Sequence, residues 1–166
     1  MKTTTQKIVF SSMFGALVCI ATMLIKIPSP LNGYINLGDC IVLLCAAYLP
    51  AGYGFLAAGI GSALADIFSG YIVYAPATFL IKGAMAIVFW FVSKTLANKI
   101  KPGVSKIMGG ILAELIMIFG YFVYEGFLYG FVPSLVNIPA NAVQGTVGLI
   151  VGLLLIKLFD KSKIFS

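Results

Sequence analysis

Asp66 and Lys82 bracket a tyrosine-containing turn, DIFSGYIVYAPATFLIK (66–82), in a chain that is otherwise almost entirely apolar. A charge at membrane depth costs roughly 2.5–3.5 kcal/mol, so it persists where it pairs, meets water or binds something. The two residues are therefore the first functional candidates, as a buried pair or as ligand contacts. The plainer alternative is a lysine stem that snorkels to the surface. A second constellation is Glu114, Tyr121 and Glu125, spaced i, i+7, i+11 and so within about 20° of one another on a helix. A third is Asn137, Asn141 and Gln144, amides gathered at the start of the last apolar run. With the rings of Tyr34, Tyr71, Tyr74 and Tyr121, these groups suit the grip of a small, flat, polar molecule, because rings stack and amides orient heteroatoms. Helical stripes and interfacial tyrosines also arise without a ligand. It is the constellation, and no single residue, that points to binding.

The elements that must position these groups are membrane helices. Of 166 residues, 61% are hydrophobic and 10% charged, and the mean hydropathy is +1.08, which places the chain among integral membrane proteins. All 11 basic residues are lysine, so the net +6 contains no guanidinium fork for phosphate and argues against a nucleic-acid partner. Histidine is absent and Cys19, Cys40 and Cys45 sit in apolar runs, so neither a metal nor another cofactor is expected. No Gly-rich phosphate loop or nucleophile with a histidine partner occurs. A membrane enzyme using Asp66, Lys82 and Glu114 as acid and base groups stays open as another class, as does an assembly scaffold.

Hydropathy and turn chemistry predict a single all-α membrane domain over residues 1–166, a six-helix bundle with helices at about 8–25, 39–49, 54–68, 76–94, 107–124 and 140–159. The first segment is too long for a secretory signal and is expected to remain. PSPLNGYINLGD (28–39) reads as a loop, with Asp39 in the first turn of a short second helix, where the dipole favours an anion. Residues 94–106 read as a polar loop with four lysines, and 126–138 as an aromatic loop. Ser12-xxx-Ala16 and Gly15-xxx-Cys19 form small-residue ridges on the first helix, as Gly145, Gly148 and Gly152 do on the last, fit for close helix packing. With cytoplasmic N- and C-termini, nine lysines (2, 7, 94, 99, 101, 106, 157, 161, 163) fall inside and only Lys26 lies in an outside loop. This is a strong positive-inside signal.

The segments YINLGD (34–39), GIGSALADIFSGYIVYAPATFLIKG (59–83) and NIPANAVQGTVGLIVGLLL (137–155), in this order, resemble the substrate-binding S component of an energy-coupling factor (ECF) transporter, in the branch with riboflavin and hydroxymethylpyrimidine S components. The resemblance implies a multi-pass protein of the bacterial plasma membrane, not an enzyme, that captures a water-soluble vitamin from outside under its loops. Uptake would be driven by a transmembrane T subunit and two ATPase subunits. It implies ligand contacts at Tyr74, Lys82, Tyr121, Glu125, Asn137, Asn141 and Gln144, with Asn36, Asp39, Tyr71 and Glu114 as further contacts. Docking on the T subunit would use Ser12, Gly15, Ala16 and Cys19, which stand where the family often has an Ala-xxx-Ala ridge. The expected ligand is hydroxymethylpyrimidine or a pyridoxine form, with riboflavin or pantothenate as alternatives.

Overall fold

The computed structural model describes residues 3–29, 31 and 33–162; Lys2 and Lys163 of the lysine count, and Pro30 and Asn32 of the first loop, lie outside the described residues. The chain runs α1 (Thr4–Leu24), β1 (Lys26–Pro28), β2 (Tyr34–Asn36), α2 (Gly38–Tyr48), α3 (Ala51–Phe68), α4 (Ala75–Ala97), α5 (Pro102–Tyr129), α6 (Phe131–Ser134) and α7 (Ile138–Ser162), with a single 3-10 turn, Leu135–Asn137, leading into α7. Five of the helical segments are long and apolar enough to cross a membrane. The sixth, α2, has 11 residues and a length of about 16 Å, so it carries the chain through the bundle as a buried core helix. Val42, Leu43, Leu44 and Cys45 of α2 are all almost wholly buried.

Several boundaries differ from the sequence reading for local reasons. Helix α1 begins earlier than expected because Thr3 and Gln6 form a reciprocal capping box, which satisfies two orphan amides at once. The polar loop expected at 94–106 shrinks to residues 98–101, since Pro102 starts α5, where a proline's missing N–H costs nothing. The aromatic loop expected at 126–138 is mostly helical: α5 runs on to Tyr129, Gly130 turns the chain at φ 96°, and α6 with the 3-10 turn leads into α7. The first loop is a correction of type. Lys26–Pro28 and Tyr34–Asn36 pair as an antiparallel hairpin with Ile27 opposite Ile35 and Pro28 opposite Tyr34, because β-branched and aromatic residues flank the turn chemistry that dominated the reading.

Small residues set the close approaches. A Cβ on Gly15 would meet the Ala57 carbonyl at 3.4 Å, and one on Gly61 would strike Gly15 and Val18, so α1 and α3 pack backbone to backbone. Gly15 therefore serves packing within the chain. Ser12 and Ala16 remain exposed, and together with Cys19 and Gly15 they line an outward apolar groove between α1 and α3. On α7, Gly145 and Gly148 lie against Glu114, and Gly148 and Gly152 against Asp39 and Cys40. Helix α3 ends in a Schellman turn: the Tyr71 amide donates to Asp66 O and the Gly70 amide to Ile67 O, with Gly70 at φ 86°, a conformation natural to glycine.

Candidate functional site

The hairpin, the α3–α4 turn and the start of α7 meet at one end of the bundle. Lys26 Nζ donates to Ser69 Oγ at 3.1 Å, Tyr34 stacks on Tyr71 with centroids 4.7 Å apart, and Tyr74 Oη donates to the Leu31 carbonyl at 2.7 Å. Beneath the hairpin is a small chamber. Ser29, Gly33, Tyr34 and Asn36 form its roof, Asp66, Tyr74 and Thr78 one wall, Tyr121 and Glu125 the next, and Asn141 with Gln144 the last. Its free volume is about 30 Å³, room for about two waters, whereas small-molecule pockets run to several hundred Å³.

The chamber's polar groups are held by named partners. Tyr34 Oη donates to Asp66 Oδ1 at 2.6 Å, and burial, followed by the Asp66 charge, pushes the Tyr34 hydroxyl well above its ordinary pKa, so it stays a donor. Glu125 Oε1 accepts from Asn137 Nδ2 at 2.8 Å and, at 3.3 Å, shares the Tyr74 hydroxyl proton with the nearer Leu31 carbonyl. The hydroxyls of Thr78 and Tyr121 lie 3.0 Å apart, and the rings of Tyr74 and Tyr121 have centroids 6.5 Å apart.

Below the floor is an ionic network. Lys82 Nζ pairs with Asp39 Oδ1, and Gln144 Nε2 donates to Asp39 Oδ2 at 2.7 Å. Gln144 Oε1 in turn accepts from the Asn36 backbone amide at 2.9 Å. One glutamine thus ties the hairpin to the bundle's buried charge pair. Asn36 Oδ1 also accepts from Gly38 N at 2.8 Å, an Asx turn that leads the hairpin into α2. Lys82 is 1% exposed and Asp39 0%, and the ammonium lies 5.6 Å from the Tyr121 ring centroid.

Of the residues expected at the site, Tyr74, Tyr121, Glu125, Asn141, Gln144 and Asn36 line the chamber. Asn137 stands behind Glu125, and Tyr71 behind Tyr34. The pairing of Lys82 with Asp66 is corrected. Lys82 binds Asp39 and sits under the floor, while Asp66 accepts from Tyr34 and lines the chamber. Asp39 is accordingly more than a helix-dipole anion. Glu114 lies deeper against Gly145 and Gly148, and neither carboxyl oxygen has a hydrogen-bond partner among the described residues. Sequence reasoning did not reach Ser29, Gly33 or Thr78 as chamber residues. Thr78 had a signal, since 74, 78 and 82 share one face of α4; the hairpin residues had none, because their pairing is not periodic over so short a span.

The bundle has the fold of a solved S component of a bacterial ECF transporter, with a TM-score of 0.78 at 24% identity, covering 98% of this chain and 99% of that one. That likeness defines the class of fold, a membrane-embedded helical bundle. The family model described as "ECF-type riboflavin transporter, S component" matches residues 2–161, and the chain belongs to that family. A Pyrococcus woesei protein described only as an uncharacterized protein in a gap 3′ region is 35% identical over 136 residues, 81% of this chain and 88% of that one. Membership makes the chain a multi-pass protein of the cell membrane serving vitamin uptake, with T and ATPase partners implied in general terms.

Proposed function

We propose that the chain captures a flat, water-soluble vitamin or vitamin precursor in the chamber under the hairpin and passes it inward in complex with a T subunit and two ATPases. The observation that carries this reading is the chamber itself, with tyrosine rings and amides converging beneath a two-stranded roof. The described lysines 7, 94, 99, 101, 106, 157 and 161 belong to the opposite end of the bundle, where Lys106 meets Asp160 at 2.6 Å. That distribution supports a cytoplasmic lysine end, with both termini inside and the chamber outside. Docking on the T subunit is assigned to the α1–α3 groove, with Ser12 and Ala16 as its exposed small residues.

A single-ring ligand, hydroxymethylpyrimidine or a pyridoxine form, is the substrate proposed first, because the compact chamber needs the least opening to admit it. Riboflavin is the second reading, favoured by the family's own description. Calorimetric titration of the purified protein with the three compounds tests both. Saturable binding of one of the single-ring compounds, tighter than that of riboflavin, is expected. Tighter riboflavin binding transfers the assignment to riboflavin, and no saturable binding by any of them refutes capture by this chamber. In cells producing the whole transporter, Asn141→Ala with Gln144→Ala is expected to abolish uptake while the complex still assembles; unchanged uptake would favour a scaffold.

A further inference from the structure

Among the described residues, the fully buried chamber-lining side-chain atoms that lack a hydrogen-bond partner are all carboxylate oxygens. Glu125 is 2% exposed and Asp66 4%, both line the chamber, and each keeps one buried oxygen, Glu125 Oε2 and Asp66 Oδ2, without a hydrogen-bond partner among the described residues. Asn137 Oδ1, behind Glu125, is likewise unpartnered. All three are acceptors. Three of the donors nearby point elsewhere: Tyr34 Oη to Asp66 Oδ1, Tyr74 Oη to the Leu31 carbonyl, and one Gln144 Nε2 hydrogen to Asp39, while the half-buried Asn141 amide faces the chamber from the α7 wall. Thr78 stands beside Asp66 with its hydroxyl against that of Tyr121, so Glu125 is the stronger of the two acceptor positions. The described cations are elsewhere. Lys82 is committed to Asp39 below the floor, and Lys26 donates to Ser69 outside the chamber.

A buried acceptor left unmatched is costly, so a ligand is favoured when it supplies the missing hydrogens. We infer that the chamber selects a neutral or cationic ring that presents N–H or O–H donors to Glu125 and Asp66, and rejects ligands that present a carboxylate or phosphate there. This rests on the capture reading above and adds the ligand's polarity to it. An anion would face two carboxylates in a site shielded from solvent, and like-charge contact of that kind is the most effective way to exclude a partner.

The test is a binding panel on the purified full-length protein. Riboflavin, 4-amino-5-hydroxymethyl-2-methylpyrimidine, pyridoxine and thiamine are the donor-bearing probes; pantothenate, biotin and nicotinate are the anionic ones. At least one donor-bearing probe is expected to bind roughly 100-fold or more tightly than every anion. Glu125→Gln keeps an oxygen for Asn137 and Tyr74 but turns the free acceptor into an amide donor, so it should weaken the best donor-bearing probe roughly 10- to 100-fold. Asp66→Asn makes the same exchange on the neighbouring wall and serves if the first variant does not fold. An anion that binds within 10-fold of the best probe overturns the inference and leaves capture standing. So does a donor-bearing probe whose affinity ignores both substitutions. If no probe of either kind binds, the capture reading itself falls, and the inference with it.

Discussion

Lys82→Met removes one half of the most deeply buried ion pair in the described structure. Lys82 and Asp39 are 1% and 0% exposed, and Asp39 is left with Gln144 as its sole remaining side-chain donor. Breaking a buried pair by deleting one partner costs about 3–5 kcal/mol, because the surviving charge stays desolvated. Replacing both members removes the stranded charge, and Lys82→Met with Asp39→Asn should recover about 2–3 kcal/mol of that loss. This is a coupling of the size seen between directly contacting residues. The control is Lys82→Met with Asp66→Asn, where no recovery is expected, since Asp66 accepts from Tyr34 and not from the lysine. Thermal unfolding of the detergent-solubilised protein reads all three variants against the parent, and the loss corresponds to a fall of roughly 10 °C for a chain of this length. Recovery with Asp66→Asn and none with Asp39→Asn would refute the assigned network.

Three further outcomes follow from the same packing. Gly148→Ala places a Cβ 2.7 Å from Asp39 Cβ and 3.3 Å from Glu114 Oε1, an overpacking worth about 1–3 kcal/mol; Gly52→Ala, with nothing within 4 Å, is neutral or stabilising by up to about 1 kcal/mol. Equal melting temperatures for the two would contradict this α7 geometry. Glu114→Met deletes a buried carboxyl with no hydrogen-bond partner among the described residues, so the melting point should hold or rise by the equivalent of about 1–4 kcal/mol, and a marked fall would mean that the acid has a partner. Tyr34→Phe leaves Asp66 Oδ1 without its 2.6 Å donor and should cost about 1–3 kcal/mol while raising hydrogen exchange in the hairpin; an unchanged hairpin would separate the roof from Asp66.

The long helices were legible because lipid imposes a length and a composition that the chain must display. Charge asymmetry between the loops likewise suggested which of them gather at one end before any contact was known. The stripe of Glu114, Tyr121 and Glu125 was visible too, since 3.6-residue periodicity puts it on one face. Its members nonetheless part company in space, with Tyr121 and Glu125 at the chamber and Glu114 against the α7 glycines. The hairpin was missed because two three-residue strands carry too little periodicity to outweigh their turn residues.

Sequence by itself determined that this is a lysine-ended helical bundle with a few costly polar groups and one end rich in tyrosine and amide. Tertiary structure alone decided which acid each polar group meets. Lys82 lies 16 residues from Asp66 and 43 from Asp39 along the chain, and sequence proximity favoured the nearer one. What reverses that preference is helix packing: α2, short enough to sit inside the bundle, carries Asp39 to the face of α4 that bears Lys82, while the hairpin brings Tyr34 over Asp66. Partner choice among buried charges is set by which helix faces meet, and that information resides in the small residues that let those faces close, Gly148 against Asp39 among them.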